Sequence, residues 1–283
     1  MREPTHEQIL AALEQSGYLF EQEVADRLEA LDFHVDTSWA FLDADQEKSR
    51  ELDVRGIKRV FHDEINKLSV FVELLVECKA FENPMVFLQR PKNERELQNS
   101  APIEYVFPVM QYRKQVSENS YQEVPAFKHL NLSQHHYYYK EALKATQFSK
   151  IIRKGKEWGA NHEGIYDALI LPLAKALECQ RWESMKLNLS NGWKYVWLLF
   201  PIVVLRDGLF AIDVSSAQRE LKSKERVSFV RHLESGNVKG FYLTDFVTCA
   251  HLDDYISKEV QLFINQIISL CTDEQNTILH KDV

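Results

Sequence analysis

LSVFVELLVEC, residues 68–78, is almost continuously apolar, rich in β-formers, and runs directly into Lys79. A strand with one wet face alternates apolar and polar residues, whereas a strand covered on both faces does not. The pattern therefore predicts a central, doubly buried strand. Glu73 is its one interior exception before Glu77. Side chains two apart on a strand share a face, so Glu77 and Lys79 project together while Cys78 turns away. Unpaired buried charge is expensive, so a charged pair closing such a strand needs a reason. It admits two readings: a structural ion pair at a strand end, or the working groups of a site. The same spacing of acid and lysine recurs at Glu220-Leu221-Lys222, but inside QRELKSKER, a polar stretch that reads as a solvated loop or helix.

Upstream, ELDVRGIKRV (51–60) reads as a second strand carrying Asp53, and FHVDTSWAF (33–41) as another. If the strands of Asp53 and Glu77 pair, the two carboxylates face each other across them. A helix is predicted over 17–31, where Phe20, Val24, Leu28 and Leu31 recur at intervals of three and four. Glu21 lies beside that stripe, either as a boundary residue reaching water or as a carboxylate near a site; Glu23 and Asp26 point more outward. Downstream, 89–136 reads as a polar insertion or long loop, with one apolar patch at 104–109. Helices are expected over 137–156 and 163–179, the second broken or kinked at Pro172. YVWLLFPIVVLRDGLFAIDV (195–214) reads as a β-hairpin turning at Asp207-Gly208. A strand at 240–248 and an amphipathic helix at 251–271 close the chain. The order is that of an α/β fold, and the absence of a clean linker predicts one elaborated domain over 1–283. Its expected parts are a motif core (10–90), the insertion (89–136), and helices with C-terminal strands and helix (137–271).

The 283 residues are 45% hydrophobic and 27% charged, ordinary for a globular protein with a real core. No apolar run approaches the roughly 20 residues that span a bilayer, and MREPTHEQILAALEQ has no apolar signal region. Cys78, Cys179, Cys249 and Cys271 are scattered without a CxxC pair, which argues against a zinc site or disulfide framework and fits reduced thiols in cytoplasm. No Gly-rich phosphate loop or Gly-x-Ser-x-Gly elbow is present. The net charge of −8 is not the usual footprint of a nucleic-acid binder, although phosphate contact needs only a locally basic surface.

Two carboxylates and a lysine on neighbouring strands are the minimal kit for phosphodiester hydrolysis. Mg²⁺ prefers hard oxygen ligands, a metal-bound water becomes nucleophilic, and a lysine beside it stabilises developing charge. Residues 17–90 resemble the PD-(D/E)XK nuclease superfamily, particularly its Mrr-like restriction endonucleases. Gly17-Tyr18-Leu19-Phe20-Glu21 with Val24-Ala25 is similar to the family's first helix, Glu51-Leu52-Asp53-Val54 to its second core strand, and Val76-Glu77-Cys78-Lys79 to its third. The resemblance implies a restriction-endonuclease-like mixed central sheet flanked by helices. It further implies that Asp53 and Glu77 bind Mg²⁺ (or Mn²⁺), that Lys79 is catalytic and that Glu21 is auxiliary. The proline of the family name is Leu52 here, and the long Asp53–Glu77 interval must hold an extended hairpin, 55–68. The match covers about a quarter of the chain.

Lys140, Lys144, Lys150, Arg153, Lys154 and Lys156 make 140–156 the most basic stretch, next to Tyr137, Tyr138 and Tyr139. It reads either as a solvated helix face or as a nucleic-acid contact through Lys144, Lys150, Arg153 and Lys154. Arg90, Lys92 and Arg95 form a weaker basic group. His135, His136 and His162 lack ligand spacing, and Asp213 and Asp245 read as turn or cap residues. Two functions follow: a Mg²⁺-dependent endonuclease, acting on DNA and serving restriction or genome defence; or a non-catalytic nuclease-fold module binding nucleic acid or protein. A homodimer or a partner protein is compatible with either.

Overall fold

Thr5 opens the first helix. The Thr5 hydroxyl accepts from the Gln8 N–H while the Gln8 side chain accepts from the Thr5 N–H, a closed capping box for α1 (His6–Ser16). Gly17, at φ 86°, ends α1 and begins α2 (Tyr18–Ala30), a left-handed turn that costs glycine nothing sterically. As the spacing predicts, α2 buries Phe20, Val24, Ala25 and Leu28. The computed structural model describes residues 3–81, 83–94, 96, 102–118, 120–190 and 192–280.

A large mixed sheet follows. β1 (His34–Asp43), β2 (Lys48–Asp63) and β3 (Leu68–Lys79) form an antiparallel meander. Its second turn is closed by the Asp63 carboxylate, which accepts from the Ile65 and Asn66 N–H groups. On its other edge β3 runs parallel to β10 (Lys194–Leu205), paired from Leu68–Lys194 to Lys79–Leu205. β10 is parallel to β14 (Val238–Thr248), which pairs antiparallel with β13 (Arg226–Ser235). A single pair, Phe229–Ala145, joins β13 to β8 (Leu143–Lys154). Beyond β8 come β4 (Met85–Pro91), β11 (Leu209–Asp213) and the edge strand β12 (Leu221–Ser223). β5 (Tyr105–Val106) adds to β10 and β9 (Glu157–Asn161) to β8. β6 (Gln111–Ser117) and β7 (Ser120–Pro125) form a separate hairpin.

Helices cover both faces. Val70, Val72, Leu74 and Val76 of β3 belong to a core shared with α2 and with Phe263, Ile264 and Ile267 of a C-terminal helix. Leu75 belongs to a second core with Leu173, Ala176 and Leu177 of α3 (Leu171–Ser190). β3 is thus the doubly buried strand that its composition predicts. Pro172 falls in the first turn of α3, directly after a π-helical turn at Tyr166–Ile170, where a missing N–H costs little. The expected strand at 240–248 is β14. The expected helix at 251–271 is a helical stretch over 252–273 that contains a π-helical turn, Tyr255–Val260, and ends in α4 (Gln261–Asp273).

Three expectations are corrected. Only Tyr137–Lys140 of the 137–156 helix is helical; 143–154 is β8, held by ladders to β4 and β9. Its Thr146, Phe148, Ile151 and Ile152 favour a strand, and two pairing edges outweigh the helical preference of the interspersed lysines. β10 and β11 are not a hairpin: β10 pairs with β3 and β14, while β11 pairs with β4 and β12. The apolar run of β10 fills both faces of a sheet interior, which a two-stranded hairpin cannot supply. Residues 89–136 are no mere loop. They contain β5, β6 and β7, and they bury Tyr105, Phe107, Tyr112, Phe127 and Leu132. The Glu220-Leu221-Lys222 stretch lies at and before β12, where all three are exposed.

Glu73, the polar exception inside β3, is fully buried. Arg55 Nε donates to Glu73 Oε1 at 2.6 Å and Gln180 Nε2 at 2.5 Å. Burial pushes the Glu73 carboxyl up, against the opposing pull of Arg55. Arg55→Ala should therefore destabilise the fold by about 3 kcal/mol in urea unfolding at pH 8. The loss should shrink at pH 5, because a carboxyl whose folded pKa is raised takes up a proton as pH falls. An equal loss at both pH values would mean that Glu73 is not the charge Arg55 compensates.

Candidate active site

Asp53, Glu77 and Lys79 come together at the β2–β3 edge. Val54 pairs with Val76, so the next step along the antiparallel strands brings Asp53 beside Glu77. Lys79 Nζ lies 2.7 Å from Glu77 Oε2 and 3.2 Å from Asp53 Oδ2. The Cys78 N–H donates to Asp53 Oδ2 at 2.7 Å, fixing that carboxylate by main chain. Cys78 itself packs into the core with α2, as the period of two requires. On the other side of Asp53, β1 is irregular at Ser38 (φ 50°), between the pairs Thr37–Val54 and Trp39–Leu52.

Depth differs across the site. The Glu77 side chain is 7% exposed, those of Asp53 and Lys79 about a quarter. Burial, reinforced by the Asp53 charge and opposed by Lys79, pushes the Glu77 carboxyl up to about 7. Burial pulls the Lys79 ammonium down, but Glu77 and Asp53 outweigh it, and its pKa ends above the ordinary value. Glu21, in the first turn of α2, is raised by burial and by the Asp53 charge and lowered by Lys79; it stands within electrostatic reach of both.

Both carboxylates reach one ammonium, so both can reach one cation. Hard oxygen donors of this kind fit Mg²⁺ or Mn²⁺, which are commonly held by one or two carboxylates with water and substrate completing the shell. Asp53 and Glu77 are the residues that would hold it. Among the described residues, no three His, Cys, Asp or Glu side chains are grouped to hold an ion unaided.

The basic candidates separate. Lys144 is ion-paired with Glu96, whereas Lys150 lies 3.9 Å over the Phe81 ring, two residues beyond Lys79. Arg153 and Lys154 are exposed on the β8–β9 hairpin, and Tyr137, Tyr138 and Tyr139 are buried, so they offer no stacking face. Lys92 donates to the Tyr138 and Glu141 carbonyls, and Arg95 lies outside the described residues. His136 is buried, with Nε2 at 2.6 Å from the Tyr105 hydroxyl, and burial pushes it down to about 3. Asp245 is buried among the Tyr137, Tyr255 and Ser228 hydroxyls, and Asp213 caps a turn at Ser215.

Sequence reasoning overlooked Arg206. Its N–H extends the β10–β3 ladder to the Lys79 carbonyl at 3.1 Å, and its guanidinium lies 4.4 Å over Phe20 and 3.6 Å from Glu23. It lines a cleft of about 930 Å³ with Leu19, Glu23, Ala80, Phe81 and Lys150; the cleft begins one residue after Lys79 in the chain, and Asp53, Glu77 and Lys79 do not line it. Its only signal was position at the end of a continuous apolar run, legible once that run is known to neighbour β3. No family model, curated protein or solved structure matches the chain.

A divalent cation needs Glu77 deprotonated. Mn²⁺ affinity should therefore rise with pH up to about 7 and flatten above it, and binding at pH 6 should release close to one proton. Calorimetry in buffers of different ionisation heat measures the release. Glu77→Gln should abolish it; release persisting in that variant would assign the proton elsewhere.

Proposed function

We propose that the chain is a metal-dependent nuclease of restriction-endonuclease-like fold that hydrolyses phosphodiester bonds of nucleic acid, DNA in the first instance, as in restriction or genome defence. The observation that carries this reading is the convergence of Asp53 and Glu77 on Lys79 at the end of the most buried strand. A bound Mg²⁺ would supply charge neutralisation and an acidified water. Asp53 and Glu77 would hold it, the first oriented by the Cys78 N–H. Lys79, kept protonated by its two acidic neighbours, presents positive charge to the phosphoryl oxygens as charge develops on them. Glu21, in the first turn of α2 and within electrostatic reach of Asp53 and Lys79, would be auxiliary, acting through a metal-bound water.

A second reading, a non-catalytic nuclease-fold module, has one observation in its favour. The Asp53–Lys79–Glu77 group is already an ion-pair network, with the Lys79 ammonium between the two carboxylates and no metal ion needed to form it. Incubating the protein with plasmid and single-stranded substrates in Mg²⁺, Mn²⁺ or EDTA separates the two readings.

The site also predicts unequal roles. Asp53→Asn and Glu77→Gln should each abolish cleavage and weaken Mn²⁺ binding by removing an oxygen donor. Lys79→Ala should abolish cleavage yet keep or tighten Mn²⁺ binding, because it removes the cation now occupying both carboxylates. Glu21→Gln should be milder. Cleavage at the wild-type rate by Lys79→Ala, or full Mn²⁺ affinity in the Asp53→Asn, Glu77→Gln double variant, would refute the assignment.

A further inference from the structure

The β8–β9 hairpin leaves the sheet as a two-stranded arm. Its pairs run from Lys150–Asn161 to Lys154–Glu157, and Gly155 (φ 65°) with Lys156 makes the two-residue turn. Lys150, Arg153, Lys154 and Lys156 face one acid, Glu157, on this segment. None of these four cations is ion-paired among the described residues, whereas Lys144, at the other end of the same strand, is paired with Glu96. Opposite Arg153 stands Trp158, 65% exposed. The root of the arm is tied to the segment that follows Lys79: the Ile151 N–H donates to the Pro84 carbonyl at 2.9 Å, and Lys150 covers Phe81.

Arg153 shares a face with the indole and Lys156 lies in the adjoining turn, whereas the Lys154 side chain lies over Gly159 on the opposite face. An exposed indole beside uncompensated cations matches a flexible polyanion that carries planar faces. The cations attract phosphate without regard to sequence, and an aromatic ring stacks on any base not already stacked. In a duplex the bases are already stacked on one another, and a short arm bearing one indole finds no free face. We propose that this arm grips nucleic acid with unpaired bases, Arg153 and Lys156 on the backbone and Trp158 stacked on a base, and feeds that strand toward Asp53, Glu77 and Lys79. The proposal rests on the nucleic-acid reading of the site and narrows its substrate to single-stranded or locally unpaired regions.

The test is fluorescence anisotropy of the full chain in EDTA, so that no cleavage intervenes. Its probes are a labelled mixed-sequence single strand, a strand of the same length lacking bases, and a duplex. The single strand should bind tighter than either alternative. Trp158→Ala should weaken its binding about tenfold while leaving the baseless strand unchanged, and Trp158→Phe should retain most of the affinity. Replacing Arg153 and Lys156 with Gln should lower the slope of log K against log salt by about 1.4. Trp158 is mostly solvent-exposed, so its truncation leaves no cavity. Equal affinity for strands with and without bases, preference for the duplex, or no effect of Trp158→Ala would overturn the proposal. Binding through Trp158 with no cleavage in Mg²⁺ or Mn²⁺ would instead overturn the nuclease reading and leave the arm standing.

Discussion

The parallel pairing of β3 with β10, unbroken from Leu68–Lys194 to Lys79–Leu205, is the constraint from which the rest of the molecule follows. With β2 on the opposite edge and apolar cores on both faces, β3 has no free edge and no free face along most of its length. A one-residue slip would turn Val70, Val72, Leu74 and Val76 out of one core and send Cys78 where Glu77 stands. The hydrophobic energy of the whole sheet therefore holds two polar side chains in place at one strand end. Sites on regular elements are more exactly positioned than sites on loops, and the Arg206 N–H bond to the Lys79 carbonyl carries this support one residue further.

Buried carboxylates in this chain are treated in different ways, and the contrast marks the site. Glu73 has a guanidinium and an amide on one oxygen, and Asp245 has three hydroxyl donors with Arg226 nearby. Burial raises both carboxyls even so, and Glu73 Oε2 has no hydrogen-bond partner among the described residues. Glu77 has one ammonium that it must share with Asp53, so burial wins and its carboxyl rises to about 7. Glu104 also rises to about 7, but it is itself 1% exposed, accepting from the Leu243 N–H, with Arg181 the cation that opposes burial. Glu77 differs because Asp53 and Lys79 beside it reach solvent. A carboxylate that is incompletely compensated yet reachable is what a cation would stabilise, and that makes its pKa informative beyond structure.

Legibility in the sequence tracked the range of the interactions involved. The joining of Asp53, Glu77 and Lys79 depends on a period of two within β3 and on one adjacent hairpin, both local, and the chain text carried it. The distinction between Glu77-Cys78-Lys79 and Glu220-Leu221-Lys222 was readable too, because one closes an apolar run and the other sits on an exposed edge. What could not be read was pairing over long separations. β8 looks helical by its lysines and becomes a strand because Met85–Pro91 offers it an edge. The Asp207-Gly208 turn looked like a hairpin because the partners of β10 lie more than 100 residues before it, at Leu68–Lys79, and some 40 after it, at 245–248. Arg206 was invisible for the same reason.

The acidic total of −8 carries little weight against a polyanionic substrate once the charges are placed. The ion pairs of Asp43 with Lys175 and Arg50, Glu73 with Arg55, and Glu141 and Glu259 with Arg226 take out four acids and four cations and so leave the surplus unchanged. Such pairs are nearly neutral at a distance, and screening at physiological salt confines each remaining charge to roughly 8 Å. What a phosphate meets is therefore the local balance. On the β8–β9 arm that balance is four cations to one acid, whereas the cleft beside it mixes Lys150 and Arg206 with Glu14, Glu23 and Asp207. A strand drawn in by the arm would thus lose attraction as it nears the carboxylates, unless a divalent cation sits between Asp53 and Glu77. On the proposed reading, coupling of substrate affinity to a bound cation would follow from where the charges lie rather than from the net charge of the chain.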